Sequence, residues 1–160
     1  MKKVHYDWIQ IERWSNRIAL DILKTDWRPD YIVGLTRGGL IPATIVSHTM
    51  GIPMHTLKVS LRDDAHGSEH NAWMPEDVMD GKSILIVDDI NDTGETLAWI
   101  REDWDKSVHG DVIKEQWHNR IRIAVLVNNL ASEEQISWCA MDINKTDYPC
   151  WIVFPWEHDA

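Results

Sequence analysis

Residues 84–96 read Ile-Leu-Ile-Val-Asp-Asp-Ile-Asn-Asp-Thr-Gly-Glu-Thr, and no other stretch constrains the fold as much. Residues 84–87 form an unbroken apolar run with β-branched side chains, the pattern of a short strand buried on both faces. Such strands belong to parallel sheets covered by helices on each side. Asp88 and Asp89 stand where the strand is predicted to end. Asp92, Thr93, Gly94, Glu95 and Thr96 then open a helical pattern that continues through Leu97, Ile100 and Trp104. A turn of carboxylates and hydroxyls therefore lies between a central strand and a helix N-terminus. Ligands of open α/β sheets bind outside the carboxyl ends of the strands.

The residue types in this turn suit a phosphorylated sugar. N–H groups at a helix start lack intrahelical partners, and the helix dipole there favours negative charge. Thr93 and Thr96 add hydroxyls, and Gly94 admits a close backbone approach. Paired carboxylates would repel a phosphate, but they accept hydrogen bonds from sugar hydroxyls. Two rival motifs fail. No Gly-Lys-Ser/Thr completes a Walker pattern. A calcium loop starting at Asp89 would place Ile100 where a bidentate Glu is required. An acidic helix cap would use one Asp or Thr, not the whole set.

Residues 87–96 resemble the phosphoribosyl-pyrophosphate (PRPP) motif of type I phosphoribosyltransferases. The resemblance implies that Asp88 and Asp89 hold ribose hydroxyls and water on Mg²⁺. It implies that Asp92, Thr93, Gly94, Glu95 and Thr96 hold the 5-phosphate. Asp92 would also accept the proton from N7 of a base, which makes Asp88, Asp89 and Asp92 the catalytic candidates.

A second strand–loop–helix unit comes earlier. Residues 31–35 are an apolar strand, Thr36, Arg37, Gly38 and Gly39 form a loop, and residues 40–50 form a helix that stops at Gly51. Pro42 fits a first helical turn. Two glycines can expose backbone N–H groups as an anion nest, and Arg37 supplies fixed charge. The loop resembles the pyrophosphate loop of the same family, with Thr36–Arg37 as the implied cis peptide. Residues 54–60 are a third strand candidate. Residues 61–80 are polar and irregular, the pattern of a lid, and the family has a hood at this place. Arg62 is the expected pyrophosphate contact there. His66 and His70 are four apart, but Gly67 and Ser68 deny them a shared helix and argue against a metal pair.

Elsewhere the periodicity predicts an amphipathic helix over residues 7–24, with Trp8, Ile11, Trp14, Ile18 and Ile22 on one face and Asp7 as its N-cap. Residues 107–119 read as a polar connection. Residues 120–127 are a buried strand ending at Asn128-Asn129, and residues 136–143 are a strand or a short helix.

The tail, Trp151 to Glu157, resembles the base-binding end of purine phosphoribosyltransferases of the xanthine–guanine type and their archaeal and phage relatives. By that resemblance Trp151 stacks on the base, Ile152 offers backbone atoms to its edge, and Glu157 joins Asp88 and Asp89 as a metal candidate. Phe154 and Trp156 are expected to close the core. One position departs from the pattern. Purine members end the strand equivalent to residues 121–127 with a lysine that donates to the 6-oxo group. This chain has Asn128 there, or Asn129 if the register is off by one. Asparagine offers both donor and acceptor, so a weakened preference for 6-oxopurines over adenine is expected.

The fold expected is thus α/β, of the type I phosphoribosyltransferase kind. It has a parallel sheet of about five strands flanked by helices, within one domain spanning residues 1–160. A small hood would come from the termini and the 61–80 loop. The reaction implied is transfer of the phosphoribosyl group from PRPP to guanine, xanthine or hypoxanthine, with release of pyrophosphate and a requirement for Mg²⁺. The alternative is a non-catalytic, PRPP- or nucleotide-sensing regulator on the same fold. A pyrimidine enzyme is disfavoured by the Trp-rich tail. A net charge of −10 argues against a nucleic-acid or anionic-membrane surface. Cys139 and Cys150 are too few for a disulfide framework, no signal peptide or membrane-spanning run is visible, and a cytoplasmic protein is expected. Family resemblance implies a dimer or tetramer. The sequence offers no reason for ten tryptophans beside one phenylalanine.

Overall fold

The computed structural model describes residues 1–59, 61 and 71–158. Arg62, His66 and His70, with the expectations attached to them, lie outside the described residues. In chain order the elements are β1 (Lys2–His5), α1 (Trp8–Leu23), β2 (Tyr31–Thr36), α2 (Leu40–Met50), β3 (Met54–Lys58) and α3 (Trp73–Met79). They continue with β4 (Ile84–Asn91), α4 (Glu95–Ser107), α5 (Val112–Gln116), β5 (Ile121–Asn129), β6 (Trp138–Ile143) and β7 (Cys150–Val153).

The apolar run of β4 occupies the middle of a five-stranded parallel sheet, ordered β3-β2-β4-β5-β6. Successive strand residues point to opposite faces, which explains why the run shows no polar alternation. Leu85 and Val87 join Ile32, Ala124 and Leu126 in a core with Ile18 and Ile22 of α1 and Val46 of α2. Ile84 and Ile86 join Val33, Ile123 and Val125 on the other side, against Val78 of α3, Ile100 and Trp104 of α4, and Ile113 of α5. The expected two-faced burial is therefore met, with α2 and α4 on opposite faces. The connections after β2 and β4 leave in opposite directions, so a crevice opens between the carboxyl ends of these two strands.

α1 starts as its sequence dictates. Asp7 Oδ1 accepts from the Gln10 N–H (2.8 Å), and Gln10 Oε1 accepts from the Asp7 N–H (2.9 Å), a reciprocal capping box. Ile11, Ile18 and Ile22 are buried, whereas Trp8 stays half exposed.

Several expectations are corrected. β4 does not end at Val87. Its ladder with β5 continues through Asp88↔Val125 and Asn91↔Asn128. Residues 73–79, read as irregular, form α3, because Met74, Pro75 and Val78 bury a face that Glu76 and Asp77 mask in the sequence. α5 lies within the supposed polar connection. Residues 138–143 are a strand, which decides the open choice for 136–143. β1 was not foreseen. It pairs in parallel with β7 as a separate two-stranded sheet, bringing Lys3 opposite Trp151 and Val4 opposite Ile152. Its four residues are mostly exposed and carry no strand signal of their own.

The tryptophans acquire a partial account. Trp104 is fully buried and donates Nε1–H to Asn71 Oδ1 (2.7 Å). The Arg122 guanidinium lies 4.9 Å from the Trp27 ring centroid and 5.7 Å from that of Trp138.

Candidate active site

The crevice is walled first by the loop after β2. The Thr36–Arg37 peptide is cis, as the family resemblance implied. Gly38 packs on the carboxylate of Asp89, so that a Cβ there would overlap Asp89 Oδ2. A Cβ at Gly39 would overlap the Val87 carbonyl oxygen and come within 2.8 Å of the Leu35 carbonyl oxygen and 2.9 Å of Asp88 Cα. Absence of side chains at these two positions lets the loop lie directly against the end of β4.

Asp88 and Asp89 therefore sit inside the ladder, enclosed by that loop. The Asp89 N–H donates to Asp88 Oδ1 (2.8 Å) and the Ile90 N–H donates to Asp89 Oδ1 (2.7 Å). Burial holds the Asp88 carboxyl well above the usual carboxylate range, with the Asp89 charge as the second cause. Burial also pushes Asp89 up to about 6, against the hydrogen bonds it makes and with help from the Glu157 charge. Raised folded-state values mean that the favourable contribution of these groups is present below their unfolded values and lost as pH rises through the folded ones. Asp89→Asn is accordingly expected to raise stability in metal-free buffer by on the order of 1–3 kcal/mol at pH 8, with the gain shrinking below about pH 4. Thermal melts of both proteins from pH 4 to 8 check this. A pH-independent difference would mean that the pair is solvated.

The turn after β4 forms a cleft of about 210 Å³, walled by residues 88–97 and Val125. Gly94 takes φ +92° immediately before α4, a conformation L side chains rarely adopt. Thr93 Oγ1 accepts from the Glu95 N–H (3.3 Å). Behind the turn stands a support that the sequence did not signal, the loop between β5 and β6. A Cβ at Gly94 would lie 2.8 Å from Glu134 Cγ and 2.9 Å from Ser132 Oγ. Glu134 is paired with Arg101 of α4 at 2.6 Å. Asn91 donates to the Glu134 carbonyl and to Asn128 Oδ1, each at 2.9 Å.

A smaller cavity, about 140 Å³, lies where the end of β4 meets the tail. Trp151 and Ile152 wall it together with Asp89, Asp92 and Glu157. Trp151 is 53% exposed, a flat surface open to a ligand, whereas Phe154 is buried and stacks on Trp156 at 4.9 Å, closing the core as expected.

Two candidate residues make other contacts. Asn128 is absent from the described residues that wall this cavity. Its side chain is consumed in bridging strands, accepting from Asn91 and donating to Asp142 Oδ1 (3.1 Å). Asn129, the other register, donates to the Asp92 carbonyl oxygen (2.9 Å) and holds the turn from behind. Glu157 stands with Asp89 on the wall of the tail cavity. Among the described residues no group of three His, Cys, Asp or Glu converges as metal ligands. Glu157 Oε2 instead accepts from the Phe154 N–H (3.2 Å). The residue that sequence reasoning missed is Lys145, whose ammonium lies 3.0 Å from Asp92 Oδ2 on the cavity wall. No local pattern marked it, because its partner is 53 positions away.

Comparison with known proteins agrees with this geometry. The phosphoribosyl transferase domain family matches residues 5–159. The xanthine-guanine phosphoribosyltransferase of Cereibacter sphaeroides is 31% identical, covering 98% of this chain and 87% of that protein. A protein of the same name from Ruegeria sp. is also 31% identical, covering 98% and 86%. The crystal structure of a purine phosphoribosyltransferase from Pyrococcus horikoshii aligns with a TM-score of 0.74 at 28% identity, over 100% of this chain and 97% of that one. A match along nearly the whole chain, on a sheet that brings the acidic strand end and the aromatic tail together, shows that this protein belongs to the phosphoribosyl transferase domain family, with the type I fold.

Proposed function

We propose that this protein transfers the 5-phosphoribosyl group from PRPP to a purine base, giving the nucleoside 5′-monophosphate and pyrophosphate. One observation carries the reading. The cleft at the turn and the cavity at the tail share Asp89, Ile90 and Asp92 as walls. A sugar phosphate in the first and a flat base in the second would meet at those residues.

In this reading Thr93, Gly94, Glu95 and Thr96 hold the 5-phosphate through the start of α4. Asp88 and Asp89 accept from the ribose hydroxyls. Thr36, Arg37, Gly38 and Gly39 hold the pyrophosphate, and Arg62 is assigned to the same group. Trp151 stacks on the base, and Ile152 offers backbone atoms to its edge. The bond from ribose C1 to the pyrophosphate oxygen breaks as a base nitrogen bonds to C1, and Asp92 accepts the proton that the base gives up. Crowded carboxylates that hold protons above their ordinary range are short of positive charge, which fits Mg²⁺ arriving with its own water and substrate oxygens. Asp88 and Asp89 would hold that water, and the ion would supply charge neutralisation of the leaving group.

The same reading takes the chain as one domain over residues 1–160, assembled as a homo-oligomer in the cytoplasm. Cys139 and Cys150 are both free thiols, and no described helix is long and apolar enough to cross a membrane.

The test is incubation with PRPP, MgCl₂ and a panel of bases, with chromatography for nucleotide. Guanine, hypoxanthine or xanthine is expected to give its monophosphate, and EDTA to stop the reaction. Tight PRPP binding with no product from any base would favour a regulatory role.

A further inference from the structure

The strand end that carries a lysine in the purine enzymes carries Asn128 here, and that side chain is occupied between strands. Positive charge reaches the tail cavity from another element, the loop after β6. The Lys145 N–H donates to Asn129 Oδ1 (3.1 Å), which fixes the backbone of that loop against the end of β5. The Lys145 ammonium donates to Asp92 Oδ2 at 3.0 Å and lies 5.7 Å from the Trp151 ring centroid. Its side chain is only 17% exposed, although lysine is among the residues that lose most rotamer freedom when ordered. A purely structural ion pair is the competing account. Asp92 is 37% exposed, and pairs so close to water contribute little stability. Both charges also lie on the wall of one cavity beside an open indole.

The geometry points to Lys145 as the residue that selects the base: we infer that Asp92 and Lys145 form a paired acceptor and donor matched to a purine edge bearing an N–H beside a carbonyl. This rests on the purine-transfer reading above. N7 and O6 of a 6-oxopurine are near enough for one side chain to engage both, as arginine does with guanine in DNA. An oxygen acceptor and an ammonium donor 3.0 Å apart present the complementary pair. Lysine has three donors, so it keeps Asp92 while it takes up O6. Adenine offers two donors on that edge, N7–H and the 6-amino group. Asp92 accepts one of them, and the ammonium is left facing a donor. The weakened 6-oxopurine preference expected from Asn128 is replaced by a strong one, carried by a different loop.

The experiment uses the full chain and two variants, Lys145→Gln and Lys145→Arg. Affinities for PRPP and for two bases that keep N7–H but carry carbon in place of N9, 9-deazahypoxanthine and 9-deazaadenine, are measured by calorimetry, and kcat/KM for hypoxanthine and adenine by product formation. Wild type is expected to favour 9-deazahypoxanthine over 9-deazaadenine and hypoxanthine over adenine. Lys145→Gln also releases Asp92, so the readout is the ratio between the two bases, which is expected to fall about 10–100-fold in affinity and in kcat/KM, the scale of one charge-assisted hydrogen bond. Lys145→Arg keeps most of the preference. Equal losses for both bases, which leave the ratios unchanged, or a parallel loss of PRPP affinity overturn the assignment. Should Lys145→Gln not fold, loss of the preference in Lys145→Arg overturns it equally. Affinity for a base with carbon at position 9 needs no turnover. A chain that prefers 9-deazahypoxanthine through Lys145 yet makes no product from any base loses the transferase reading and keeps this one.

Discussion

Asp92→Asn is expected to lower turnover by about 10²–10⁴ with PRPP affinity nearly unchanged, the usual scale for lost acid–base assistance. Asp92 is the carboxylate on the wall common to the phosphate cleft and the tail cavity that lies outside the crowded Asp88–Asp89 pair. Asn129 holds its carbonyl oxygen and Lys145 its carboxylate, so its position is set before substrate arrives. Asparagine preserves the shape and one acceptor oxygen, but it neither bears the charge nor takes up the proton. The measurement is single-turnover rate at saturating PRPP and base, beside a PRPP titration without base. Loss of PRPP binding with no separate effect on rate would assign Asp92 to the ribose instead.

Gly39→Ala is expected to affect both stability and substrate binding. The requirement there is space and not conformational freedom, since Gly39 has φ −83° and ψ −9°, open to any residue. The atoms that a methyl group would strike are the Val87 and Leu35 carbonyl oxygens and Asp88 Cα, all backbone within β2 and β4. None can rotate away, so the loop must lift from the sheet. Overpacking of this kind costs about 1–3 kcal/mol, a fall in Tm of roughly 2–12 °C for a chain of this size. The lifted loop also shifts the groups assigned to pyrophosphate. A displacement near 1 Å is expected to lower kcat/KM for PRPP by about 10²-fold. Unchanged Tm together with unchanged PRPP kinetics would show that the loop does not rest on β4.

Features encoded within a single turn or strand were legible in the sequence. The run at residues 84–87 announced a strand with two buried faces, and β4 supplies one residue after another to cores on opposite sides of the sheet. Asp7 followed three residues later by Gln10 is a complete local signal for the start of α1. Turn chemistry at Asp92, Thr93 and Gly94, and the loop at Thr36 to Gly39, carried the family resemblance because each is a short, contiguous set of residue types. The tertiary structure decided what depends on a distant partner. β4 runs on through Asp88 and Asp89 because β5 continues its ladder beside them, and no property of the two carboxylates reveals that. β1 exists as a strand because β7 offers it an edge. The surroundings of Asn128 and Lys145 follow from the same cause. Strand register turns the Asn128 amide toward Asn91 and Asp142, while the loop after β6 folds back over the end of β4 and delivers Lys145 to Asp92. Periodicity and capping act over a few residues, whereas the position of a charge in a pocket follows from the pairing of whole strands.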